Sequence, residues 1–182
     1  MMKIWSNKGV RDEDFTEARV KDLKALIDLK ITAGQPLVDR WPKVVLEVFP
    51  KNPPADTFLS GPMLIVSDRL LEIVRCYVSH ADIEALPVEV SYQGQSVGSY
   101  YYLNVLKRLD ALDRSLSIFT EFKGCIDSID LMVIDEKKVL GVDLFQMKSF
   151  EWVVCVSSEL AWAIIEDGIT GVTFKKDQEW NP

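Results

Sequence analysis

Two pairs of carboxylates, Asp110-Ala111-Leu112-Asp113 and Asp127-Ser128-Ile129-Asp130, have a spacing that chemistry could use. A three-residue step puts both side chains on one face of a helix and on opposite faces of a strand. Set in a turn, Asp110 and Asp113 could hold Mg²⁺ or act as acid and base. No third fixed ligand stands beside them, so turn-forming and capping aspartates explain the pair better. Asp127 and Asp130, followed by Asp135 and Glu136, read as a solvated face whose functional version is an acidic docking patch.

His80 is the only histidine, which excludes a two-histidine metal site and a relay between histidines. In Ser79-His80-Ala81-Asp82 it has the position of a first-turn residue behind a helix cap, and an exposed structural role is expected. The chain has neither a phosphate-cradling Gly/Lys loop nor a dinucleotide turn, so no cofactor is expected. Cys76, Cys125 and Cys155 are scattered without a C-x-x-C pair. Free, buried thiols in a reducing compartment are the expectation. Tyr100, Tyr101 and Tyr102 in succession suggest a base-stacking platform, but such platforms work beside Lys and Arg. Only Lys107 and Arg108 follow closely, so strand packing or contact with a protein partner suits the tyrosines better.

The 182 residues carry 21 Lys+Arg against 28 Asp+Glu, a net charge of −7. A duplex nucleic-acid binder needs a basic face, so this balance argues against that role and for a basic protein partner. There is no signal-peptide core and no run of about 18 apolar residues, so a cytoplasmic protein without a membrane span is expected. Length and a 48% hydrophobic content fit a single domain over residues 1–182.

The elements that must position these residues follow from periodicity. Phe15, Arg19, Leu23, Leu26, Ile27 and Ile31 recur at three- and four-residue steps, predicting an N-terminal helical segment within 12–33, ended by Gly34 and Pro36. Residues 44–49 read as a strand closed by a loop at Pro50, Pro53 and Pro54. Residues 63–66 read as a covered strand, Ser67 as a helix cap, and Leu70, Leu71, Ile73, Val74 and Val78 as a buried stripe. That helical character runs on past Ile83 and Leu86 to a stop at Pro87, after which 88–90 returns as a strand. Residues 152–156, Ser157 or Ser158, Leu160 to Ile165, Gly168 and 172–174 repeat this order. The offset is 90 residues for the cap (67 to 157) and 84 for the returning strand (88 to 172).

Between the two copies, 92–95 reads as a turn, 100–106 as a strand, and 117–122 as a strand with one wet face. Residues 129–134 read as a strand, 135–138 as a charged turn and 142–145 as a short strand. Trp152 and Trp162 are expected in the core, and Trp180 in a loose tail over 176–182. The sum is an α+β chain: a mixed, largely antiparallel central sheet, a few packed helices, and two weakly similar strand–helix–strand units.

The order Gly34-x-Pro36-Leu37, Trp41, Asp56, Val66-Ser67-x-x-Leu70 and Leu86-Pro87-Val88 continues through Tyr101 to Leu106, Leu109 to Asp113 and Ser117. It ends with Asp143-Leu144-Phe145, Val156-Ser157 and Gly168 to Phe174. This ordered set resembles the bacterial polymorphic-toxin immunity proteins of the eleventh catalogued immunity family, long carried as a domain of unknown function. It covers roughly residues 34–175; residues 1–33 show no matching pattern.

The resemblance implies an inhibitor rather than an enzyme, made beside a secreted or contact-delivered toxin and binding that toxin in the cytosol. It brings no catalytic, metal or cofactor residues. Ser67 and Ser157 look like caps, Asp110 and Asp113 like turn formers, Gly171 like a backbone requirement. Electrostatic steering suits an acidic inhibitor to a basic toxin, a nuclease being one such partner. The residues expected to meet it are Asp127, Asp130, Asp135, Glu136 and Tyr100. Two other readings stay open, a small metal-dependent hydrolase using Asp110 and Asp113, and a non-catalytic oligomerising scaffold.

Overall fold

The structure, a computed structural model, describes residues 1–31, 33–49, 52–123, 125–148 and 150–180, with backbone alone at Cys125. Strands dominate. In chain order the elements are β1 (Met2–Asn7), β2 (Ala18–Val20), α1 (Lys24–Ile27), β3 (Val44–Val48), β4 (Thr57–Ser60), β5 (Met63–Ser67) and α2 (Asp68–Tyr77). Then come β6 (Ile83–Tyr92), β7 (Gln95–Ser96), β8 (Tyr100–Val105), β9 (Arg108–Leu109), β10 (Ile118–Phe122) and β11 (Cys125–Leu131). The last are β12 (Leu144–Met147), β13 (Phe150–Ser157), α3 (Ser158–Glu166) and β14 (Val172–Lys175). One sheet has the order β14-β1-β13-β12-β9, a second β2-β3-β6-β8-β5-β4 with β7 on β6, and β10–β11 stand alone as a ribbon. The α+β class and the mixed, largely antiparallel pairing hold, with the strands divided between two large sheets.

Each large sheet contains the same four-stranded unit. In one the order is β6-β8-β5-β4, in the other β14-β1-β13-β12. The hairpins β4–β5 and β12–β13 each run straight into a helix, and the strand after the helix returns to the far side of the unit. The strand between, β8 or β1, comes from a different part of the chain in each case. Its backbone contacts correspond all the same. Asp68 N–H donates to Ser99 C=O and Ser158 N–H to Met1 C=O, both at 3.0 Å. Leu106 N–H donates to Asp82 C=O at 2.8 Å, Lys8 N–H to Gly171 C=O at 3.0 Å.

These contacts correct the register of the repeat. Ile83 of β6 pairs with Val105 next to the Leu106–Asp82 bond, and Val172 of β14 pairs with Asn7 next to the Lys8–Gly171 bond. The returning strands therefore match at an offset of 89 (83 to 172) rather than 84. The error lay in taking Pro87 as a helix stop. Helix α2 ends at Tyr77, Ser79 to Asp82 form a turn closed by Asp82 N–H on Ser79 C=O, and β6 passes through Pro87. The Pro87 carbonyl accepts the Trp41 indole N–H at 2.9 Å, on the side where β3 joins only from Val44 onward. The missing proline N–H thus falls where no ladder bond is required. His80 is exposed in that turn, not in the first turn of a helix.

Three cores result from the alternation of side chains along the strands. The two sheets share the first, to which Trp5, Leu64, Val66, Leu103, Val105, Leu144 and Val156 contribute, and α2 and α3 close one end with Leu70, Val74, Leu160 and Ile164. On the other face of β1, β12 and β13, Ile4, Phe145, Met147 and Cys155 meet Leu112, Ile129, Met132 and Ile134 from the excursion between β9 and β12. The third lies inside the seven-stranded sheet, where Leu46, Phe58, Ile65, Leu86 and Val90 pack with Leu26 and Leu37. That sheet nearly closes, Ser60 Oγ donating to Ala18 C=O at 3.3 Å.

Several expectations change. The segment 12–33 is not a helix: Ala18 to Val20 pair with β3, Arg19 facing Glu47 at 2.9 Å, and only four residues of α1 are helical. Closing the sheet with an edge strand outweighs a helical spacing in which Leu23 and Ile27 end up exposed. Trp152 is 69% exposed because it lies past the end of the shared core, and Trp162, 61% exposed, is on the outer side of α3. Trp180 packs against the second core instead of trailing loose, and Asp177 Oδ2 in the same segment accepts the Ile134 N–H at 2.8 Å. Cys155 is buried but Cys76 is exposed on α2; the Cys125 side chain and Pro50 lie outside the described residues. The charged turn at 135–138 is a short 3-10 helix over Glu136–Val139. Among the described residues no helix is long and apolar enough to cross a membrane.

Candidate partner-binding surface

The ribbon β10–β11 carries exposed apolar and acidic side chains side by side. Its two strands pair antiparallel with irregularities after Ile118 and Thr120, and the Thr120 and Ser128 hydroxyls bond across it at 2.8 Å. Phe119 and Ile126 pack back on the second core and Ile129 is buried within it. The expected single wet face is instead wet almost throughout, because no second layer covers a two-stranded ribbon. Ile118 is 57% exposed, Phe122 66%, and Leu116 just before the ribbon 61%. Asp127 and Asp130 are exposed on β11. Residues 113–131 hold four acids against two bases. Both bases are engaged locally, Arg114 with Glu121 at 2.5 Å and over the Phe119 ring at 5.6 Å, Lys123 over the Phe122 ring at 5.2 Å.

Asp113 anchors the approach to the ribbon. Its Oδ1 accepts from the Ser115 hydroxyl at 2.6 Å, the Ser115 N–H at 2.9 Å and the Leu116 N–H at 3.2 Å. Those bonds, the Ser115 hydroxyl foremost, hold the carboxyl below the usual carboxylate range. This is a turn former. Asp110 is exposed, and among the described residues no three His, Cys, Asp or Glu side chains gather as metal ligands would.

The remaining expected contact residues are engaged elsewhere. Asp135 caps the short 3-10 helix, its Oδ1 accepting the Lys137 N–H at 3.1 Å, and Glu136 Oε1 accepts the Met2 N–H at 3.1 Å. Tyr100 belongs to the other large sheet, half-buried, with its hydroxyl donating to the Ala55 carbonyl at 3.1 Å. Burial, reinforced by the Asp56 charge, pushes that phenol up to about 12. Asp127 and Asp130 lie three positions apart on β11 of the ribbon, and Tyr100 lies on β8 of a different sheet. Sequence reasoning missed Leu116, Ile118 and Phe122. Their signal was the co-occurrence of an apolar alternation with flanking acids, which a buried strand edge would also show.

Set against models of known families, residues 10–179 match the immunity protein family Imm11. The match takes in most of the N-terminal region that the ordered residues above left uncovered. No curated protein matches the chain.

Proposed function

Since the chain belongs to the Imm11 immunity protein family, we propose that it acts in the cytoplasm, as a single domain, by binding one cognate toxin domain and occluding it stoichiometrically. The family match over residues 10–179 carries this reading. Immunity of this kind needs a complementary surface and no chemistry of its own. The net charge of −7 favours a basic toxin, a nuclease among the candidates, approaching under electrostatic attraction.

The contact surface in this proposal is the β10–β11 ribbon. Ile118 and Phe122 are its apolar anchors, Asp127 and Asp130 its charged rim, in keeping with interfaces that combine a desolvated centre with a polar edge. Asp135, Glu136 and Tyr100, each holding a hydrogen bond within the fold, lie outside the ribbon. The test is protection. Cells making the toxin encoded beside this protein should survive when it is co-expressed, and the double variant Phe122→Ala, Asp127→Lys should protect poorly at equal abundance. Full protection by that variant would remove the ribbon from the interface; failure of the native protein to protect would remove the function.

A further inference from the structure

A strand edge presents a row of N–H and C=O groups to any chain that can pair with it. Folded proteins usually cover such an edge, keep it short, or guard it with lysine, proline or a bulge. The large sheets follow this rule. β7 and β9 have two residues each, and β2 and β4 meet where the seven-stranded sheet nearly closes. β14 is four residues long, ends at Lys175 and runs on into Lys176.

In the ribbon, β11 is guarded and β10 is not. The pairing runs Ile118 to Leu131, Phe119 to Ile129, Thr120 to Ser128 and Glu121 to Ile126. Asp130 and Asp127 are skipped, so each is the extra residue of a bulge, which bends β11 and breaks the regularity of its outer edge. Beyond the end of β11, Asp177 takes the Ile134 N–H. β10 has no extra residue in this pairing, and residues 116–122 contain no lysine, arginine or proline. Among the described residues β10 pairs with β11 and with no other strand. Its faces are fixed by alternation. Phe119 packs back on the second core, with Glu121 on the same side of the strand, while Ile118, Thr120 and Phe122 are exposed on the other.

We propose that the open edge of β10 receives an extended strand of the toxin, which joins the ribbon as a third strand through backbone hydrogen bonds. The strand that fits carries apolar side chains at alternate positions, continuing the row of Ile118, Thr120 and Phe122. Between them it carries Lys or Arg, on the side of Glu121. Glu121 is exposed, and its surface pair with Arg114 holds it only weakly, so it can turn to an incoming cation. A second copy of this chain fits the edge less well, because both strands would bring the same glutamate and each chain a charge of −7. The inference deepens the ribbon reading and rests on it: side chains alone would leave the backbone of β10 unpaired.

The test follows hydrogen exchange of the backbone amides of residues 118–122 by NMR in the native protein. The probe is a short peptide alternating valine and lysine; the control is the same peptide methylated at every backbone nitrogen, which keeps the side chains and has no donor. Near saturation the first peptide should slow the freely exchanging β10 amides by about tenfold, and the control should leave them unchanged. In the complex with the cognate toxin domain the same amides should be protected. No slowing at the peptide's solubility limit, or equal slowing by both peptides, would overturn the proposal. A toxin complex in which these amides still exchange freely would also overturn it and leave the ribbon reading standing. The absence of any toxin complex would remove the function and this inference with it. Amides already protected in the protein alone, together with sedimentation as a dimer, would assign the edge to a second copy and overturn the proposal.

Discussion

Ser157 does at the head of α3 what Ser67 does at the head of α2. Each hydroxyl accepts the N–H of the leucine three residues on, Leu160 at 3.1 Å and Leu70 at 3.2 Å. Each donates to an aspartate just before its hairpin, Asp143 at 2.6 Å and Asp56 at 2.8 Å. Each serine N–H also bonds that aspartate's carbonyl, at 2.8 and 2.6 Å. A single serine thus caps the helix and ties the two ends of the hairpin together.

Removing either hydroxyl should cost more than losing a cap alone, because the aspartate loses a partner as well. Ser67→Ala and Ser157→Ala should each destabilise by about 1–3 kcal/mol in urea unfolding. Thr replacements, which keep the hydroxyl, should recover most of it. Asp56 in addition accepts the Thr170 N–H at 3.0 Å and its hydroxyl at 2.9 Å, joining the two repeated units. Asp56→Asn should therefore cost more than Asp143→Asn, and the reverse order would refute the assignment.

Among the described glycines, Gly171 is the one the fold can least replace. Its φ is +84°, and an added Cβ would run into the Thr57 carbonyl oxygen and come within 2.8 Å of the Ala55 Cβ. Gly171→Ala should cost about 2–4 kcal/mol, from left-handed strain plus overpacking. Gly141, φ +70°, has open space around its Cβ position, so Gly141→Ala should show only the strain, about 1–2 kcal/mol. Equal losses in thermal or urea unfolding would contradict this.

Stability should fall in alkali. Burial raises the folded-state phenols of Tyr100, to about 12, and of Tyr102. The unfolded chain releases these protons near the ordinary tyrosine value of about 10, so above that pH it binds fewer protons than the folded chain. The contribution is complete below pH ~10 and drains away as pH rises toward the folded-state values. Tyr100→Phe should flatten the loss between about pH 10 and 12, measured by urea unfolding across that range. An unchanged slope would contradict the burial of this group.

The ribbon should separate affinity from stability. Phe122→Ala and Ile118→Ala, both at exposed positions, should shift unfolding by no more than about 0.5 kcal/mol. Phe122→Ala should nonetheless weaken the toxin complex by more than tenfold if Phe122 anchors it. Asp127→Lys and Asp130→Lys should chiefly slow association, with a weaker dependence on salt.

Local signals read well where one residue type leaves few alternatives. A serine between a continuous apolar run and a leucine three residues on identifies both caps, and both structural units repeat accordingly. Tyr92 to Gln95 turn as expected, with φ of +52° at Gln93 and +79° at Gly94. Nonlocal pairing was hidden. Nothing near Met2 announces that β1 fills in one unit the place that β8 fills in the other. Pro87 reads as a stop from sequence because its harmless position depends on where a distant strand, β3, begins. Hydropathy placed Trp152 and Trp162 inside, since it cannot say where a core ends. For the contact surface, the acids at Asp127 and Asp130 were legible, while the exposed apolar side chains of Leu116, Ile118 and Phe122 were indistinguishable from a buried strand.

The central claim is inhibition by binding, and a calorimetric titration of this protein into its cognate toxin domain, with toxin activity followed in parallel, tests it most directly. The account predicts a one-to-one complex and activity extinguished at one equivalent, with no product released by the inhibitor itself. Absence of a complex at micromolar concentration, or catalytic destruction of the toxin at a small fraction of an equivalent, would contradict it.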